Sequence, residues 1–67
     1  MKHSEVYSNV QDCWKAGNFE RLWAVADRMR DDKHSHEAVL AVLEVSAHQD
    51  KRALSALKIA LDEESEQ

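Results

Sequence analysis

The 67-residue sequence contains no proline, one glycine, one cysteine and four aromatic residues. Each scarcity excludes something. A single cysteine, Cys13, forms no internal disulfide, which removes the small disulfide-stapled scaffolds and predicts a reducing, cytoplasmic setting. With one glycine there is no glycine-rich loop to cradle phosphates and no strained nucleophile elbow. No apolar run approaches the roughly 18 residues a membrane span needs, because Ala38 to Val45 is already interrupted by Glu44. The opening stretch Met1-Lys2-His3-Ser4-Glu5 has no secretory apolar core. Basic residues are also in deficit: 9 Lys+Arg against 13 Asp+Glu give a net charge of −4. That balance argues against direct nucleic-acid binding, which depends on clustered cations. Arg21, Arg28, Arg30 and Lys33 are interleaved with Asp27, Asp31 and Asp32 and read as a solvated helix face.

What remains is a helical composition, 43% hydrophobic and 33% charged. A chain of this size buries only about 60% of its unfolded surface, so it has little volume for a deep catalytic cavity and gains from association. Apolar residues at three- and four-residue steps predict an all-α domain of four short helices, over about 4–16, 19–31, 35–48 and 50–62, followed by a fraying acidic tail, 62–67. Ser4 and Ser35 are expected N-caps, Asn18 is expected to cap the second helix, and Asp50 the fourth. Gly17 supplies the left-handed residue that closes the first helix. The helices pair as two packed αα-hairpins. Superposed at an offset of 31 residues, the halves match His3 with His34, Ser4 with Ser35, Ala16 with Ala47 and Arg21 with Arg52.

The segment Lys15-Ala16-Gly17-Asn18-Phe19-Glu20-Arg21-Leu22 resembles the central turn of a tetratricopeptide-type repeat, where glycine, a polar residue and an aromatic join two helices. Ala47-His48-Gln49-Asp50-Lys51-Arg52-Ala53-Leu54 stands at the matching place. The offset is shorter than the family's ~34 residues, no closing proline exists, and Leu22 replaces a small residue. The resemblance implies a protein-binding scaffold, a class that includes small chaperones of bacterial secretion systems.

Residues that could carry chemistry are few. His34-Ser35-His36, beside Asp31, Asp32 and Glu37, has suitable ligand types for zinc, but its spacing does not bring two imidazoles onto one helical face, and a polar interhelical loop is the expected role. His3 and His48 are expected on the surface. Cys13 lies on the Val6-Val10-Cys13 stripe and reads as a buried small hydrophobe rather than a nucleophile. Neither catalysis, metal nor cofactor is expected. Among the aromatics, Trp14 is expected in the core, and Trp23, at the flank of its stripe, is a candidate binding anchor.

Helix 3 is apolar on nearly every side. Leu40, Leu43 and Leu57 are assigned to the internal core, which leaves Val39 and Val42, with Leu54 and Leu61 of helix 4, as a second apolar face. Such a surplus predicts a protein-binding surface formed by Trp23, Val39, Val42, Leu54 and Leu61, with Val42 and Leu54 at its centre, and a homodimer. The function that follows is a non-catalytic protein–protein interaction module: a small cytoplasmic adaptor, chaperone or inhibitor. An acidic antagonist of a nucleic-acid-binding protein, using Asp27, Asp31, Asp32 and the tail as a phosphate-like surface, is the alternative. A metal-dependent enzyme or sensor is the third class.

Overall fold

The computed structural model describes residues 2–65, with the backbone alone at 65. It contains α1 (His3–Ala16), α2 (Arg21–Asp31), α3 (His36–His48) and α4 (Lys51–Ser65). Among the described residues there is no strand. None of these helices is long and apolar enough to cross a membrane. The chain is an all-α bundle whose helices close on themselves: α2 packs on α1 and α3, α4 packs on α3, and α1 returns against α4.

The amphipathic stripes explain the helices. Val6, Val10 and Cys13 of α1 and Leu22, Val25, Ala26 and Met29 of α2 recur every three or four residues and are all buried. Tyr7, Trp14, Phe19 and Leu43 pack against this core from its edge. Trp14 is therefore a rim residue rather than a core one: its indole N–H donates to the Gln49 carbonyl at 3.4 Å. A ring with one polar group fits a boundary better than a dry interior. Ser46, the one polar residue among the described residues that is buried as a whole, donates its hydroxyl to the Phe19 carbonyl at 3.1 Å and so ties α3 to the α1–α2 turn.

Each of the three interhelical corners contains a left-handed residue: Gly17 at φ 72°, Lys33 at φ 64° and Gln49 at φ 53°. At the first, the Asn18 N–H returns to the Cys13 carbonyl at 2.9 Å and the Gly17 N–H to that of Trp14 at 3.2 Å, a Schellman closure. His34 to Met29 at 3.0 Å and Lys33 to Arg30 at 3.1 Å repeat it after α2. Gly17 acts as the sequence predicts; the other two corners enter the left-handed region without glycine, the third with a single bond from the Gln49 N–H to the Val45 carbonyl at 2.9 Å.

The expected caps divide evenly. The Ser35 hydroxyl accepts from the Ala38 N–H at 3.2 Å, and an Asp50 carboxylate oxygen accepts from the Arg52 N–H at 2.9 Å. Ser4, by contrast, lies inside α1, whose N-cap position is Lys2 with no side-chain cap. Asn18 is consumed in closing α1, so α2 starts later, at Arg21, with Glu20 at its N-cap position and no side-chain cap. Helix 4 also runs past the expected end at residue 62, because Glu64 is anchored by partners described below. The rest of the acidic tail, Glu66 and Gln67, lies outside the described residues.

Candidate functional site

The surplus apolar surface of α3 is used within the monomer. Because α3 lies between α2 and α4, it buries Ala38, Val39, Ala41, Val42 and Val45 on two sides at once. Of the five residues expected at a protein-binding surface, only Trp23 is exposed, at 57%. Val39, Val42, Leu54 and Leu61 are core residues with at most 5% of their surface accessible, and that face is not available to a partner. The converse correction concerns Leu40, assigned to the core by its spacing, which is 44% exposed. Leu57 is fully buried, as the sequence predicts, whereas Leu43, also assigned to the core, lies at its edge.

Leu40 belongs instead to a groove along the α3–α4 seam. Its apolar lining is Leu40, Ala41, Ala56, Ile59 and Ala60, and its charged lining is Glu37, Glu44 and Glu63. Ile59 is 60% exposed. The order of sizes is inverted here: Ala41 and Ala60 are buried while Leu40 and Ile59 face solvent. The signal was present in the sequence. Glu37, Leu40 and Glu44 recur at steps of three and four, as do Ala56, Ile59 and Glu63, and carboxylates on a shared stripe mark it as facing water.

A second constellation gathers around Glu64. His3 from the first residue of α1, His34 from the α2–α3 loop and Glu64 from the last turn of α4 bring one ligand atom each within 4.8 Å of the others. One carboxylate oxygen, Oε2, lies 3.0 Å from His3 Nε2 and 3.0 Å from His34 Nδ1. The other, Oε1, accepts the backbone N–H of Ser35. The two imidazoles meet edge to face, with centroids 5.4 Å apart. Burial pushes the Glu64 carboxyl up, but the hydrogen bonds from His34 and from Ser35 outweigh it, so its pKa lies below the ordinary carboxylate value. His36, the other histidine of the sequence-level zinc candidate, is exposed and takes no part in this cluster. His3 is half-buried rather than fully on the surface. Sequence spacing gave no hint of the trio, since Glu64 is 30 residues from His34 and 61 from His3.

Cys13 is buried and pairs with no other cysteine, as its stripe predicts. Two of the aspartates on the solvated face are paired: Asp27 of α2 with Arg30, while Asp32, the C-cap of α2, lies 3.8 Å from Arg28. Compared with models of known protein families, with characterised proteins and with solved structures, the chain matches none.

Proposed function

We propose that the protein is a non-catalytic interaction module that receives a basic, amphipathic helical segment of another protein in the α3–α4 groove. The observation that carries this reading is the size inversion at the seam, where Leu40 and Ile59 are outside and Ala41 and Ala60 inside. Stability alone favours the reverse, because covering the exposed parts of Leu40 and Ile59 is worth about 1 kcal/mol each. Two aliphatic side chains flanking a shallow floor suit apolar anchors of a docked helix, and the glutamates at the rim suit lysine or arginine beside those anchors. A second copy of the chain fits less well, since a two-fold contact would set Glu37, Glu44 and Glu63 against the same carboxylates. The reading as a nucleic-acid mimic is weakened by the arginines that already neutralise Asp27 and Asp32.

The test is an NMR titration with two helical peptides sharing the same leucine face, one flanked by lysines and one by glutamates. The basic peptide is expected to shift the amides of Leu40, Ala41, Ala56, Ile59 and Ala60, and a Leu40→Gln/Ile59→Gln variant is expected to lose that response. Equal binding of both peptides, or shifts centred on Trp23, would overturn the assignment. Sedimentation of the chain alone is expected to give a monomer; a dimer broken by the same double substitution would show that the groove pairs copies of this chain instead.

A further inference from the structure

We propose that His3 Nε2, His34 Nδ1 and Glu64 Oε2 form a three-donor site for a borderline divalent transition-metal ion, Zn²⁺ foremost, which clamps the start of α1 and the end of α4 onto the α2–α3 loop. Nothing in this inference depends on the groove or its occupant.

The donor set selects the ion. Two imidazole nitrogens and one carboxylate oxygen suit zinc and its neighbours, whereas magnesium and calcium favour all-oxygen shells. Geometry agrees. Donors at 2.0–2.1 Å from a tetrahedral zinc lie about 3.3 Å apart. Oε2 already sits 3.0 Å from each nitrogen, and all three atoms fall within 4.8 Å, so small side-chain rotations suffice. The ion would take the place of the hydrogens through which both rings now approach Oε2, and a neutral imidazole then keeps its one proton on the opposite ring nitrogen.

The surroundings also resemble those of a built site. The Ser35 N–H holds Oε1, which fixes the carboxylate plane and directs Oε2 at the imidazoles, the role outer partners have in metal centres. The His34 and Glu64 side chains are 7% and 13% exposed, while that of His3 is 43% exposed. Two donors are thus held in the protein and the third stands at the surface, giving an entry path and leaving a fourth position for water. Because the donors come from three separate elements, the site exists only in the folded chain, and zinc would stabilise that state by mass action.

The experiment uses the full chain stripped with chelator, titrated with Zn²⁺ by calorimetry and with Co²⁺ by visible absorption, with Tm followed in parallel. One equivalent of zinc is expected to bind and to raise Tm, and Co²⁺ to give the d–d bands of a four-coordinate ion. His3→Ala, at the exposed donor, is expected to keep the fold and lower affinity by at least about tenfold. Glu64→Gln is expected to do the same, and His36→Ala to change nothing. Absence of binding to the folded wild type would overturn the proposal, as would full retention of affinity in His3→Ala. A thiolate-to-cobalt charge-transfer band would place the ion at Cys13 and overturn it as well.

Discussion

The two hairpins turn in the same hand with different residues at the corner. α1 ends on Gly17 at φ 72° and α3 on Gln49 at φ 53°. They also distribute apolar bulk in opposite ways. The first hairpin turns its large aliphatic and thioether side chains inward, with Val6, Val10, Leu22 and Met29 fully buried, and keeps Tyr7, Trp14 and Phe19 at the edge. In the second, four alanines share the interior with Leu54, Leu57 and Leu61, and Leu40 and Ile59 are left outside. Apart from Trp23, which is 57% exposed, the first hairpin is thus arranged as stability alone would arrange it. The second departs from that order at one seam, and that seam is the candidate docking groove.

The sharpest way to break this contrast is to substitute the two faces of α3 separately. Val42→Asp places a carboxylate where the side chain has no accessible surface, a cost of several kcal/mol, and a domain this small is expected to unfold. Leu54→Asp is expected to behave alike. Leu40→Gln and Ile59→Gln, on exposed positions, are expected to change stability by no more than about 0.5 kcal/mol while abolishing capture of the basic peptide. Circular dichroism melts separate the outcomes. A folded Val42→Asp variant would mean that the inner face of α3 is misassigned.

The corners give effects of opposite sign. A Cβ on Gly17 meets no atom within 4 Å, so a substitution there is charged only for its backbone conformation. Gly17→Val is expected to destabilise by about 1–2 kcal/mol. Gln49→Gly and Lys33→Gly relieve that conformation and are expected to stabilise by up to about 1 kcal/mol each, less the entropy glycine adds to the unfolded chain. Chemical-denaturation midpoints measure all three, and equal responses at Gly17 and Gln49 would erase the difference between the hairpins.

These corners also show how far the sequence is legible. Periodicity locates the helices because it reports which stripe faces the core, and Gly17 is readable because one residue type dominates its conformation. Lys33 and Gln49 carry no such mark; both are exposed, and their backbone N–H groups close α2 and α3 onto the Arg30 and Val45 carbonyls. The groove is hidden in the sequence for a related reason. In a helix as apolar as α3, spacing alone does not rank the faces, and it puts Leu40 inside although Glu37 and Glu44 share its stripe. His3, His34 and Glu64 were not legible as a set, since their meeting depends on α1 closing against α4, a fact of topology rather than of local pattern.

The helix starts differ in the same manner as the corners. Ser35 caps α3 through its hydroxyl, and Lys2, at the equivalent place on α1, offers no side-chain acceptor. Ser35→Ala is expected to cost about 1 kcal/mol, and Lys2→Asp to gain somewhat less than that. If the two substitutions shift the thermal midpoint in the same direction, the capping assignment is wrong.

The smallest expected effect concerns acid, and it compares the Glu64 cluster with the rest of the molecule. Glu64 has a folded-state pKa below its ordinary 4.5, because the hydrogen bonds from His34 and Ser35 outweigh the opposing effect of burial. A carboxyl lowered on folding stabilises the native state fully above its unfolded pKa, and that contribution disappears as pH falls through the folded value. Glu64→Gln keeps an acceptor for the Ser35 N–H but has no proton to take up in this range. In chelator, urea midpoints of the wild type are therefore expected to fall more steeply than those of Glu64→Gln as pH drops below about 4.5, with the gap between them narrowing toward the acid end. Other carboxylates contribute equally to both proteins, so the difference reports Glu64 together with the two imidazoles it faces. Parallel curves from neutral pH to pH 3 would mean that His34 and Ser35 do not hold the Glu64 carboxylate in solution, and that the end of α4 is not tied to the α2–α3 loop.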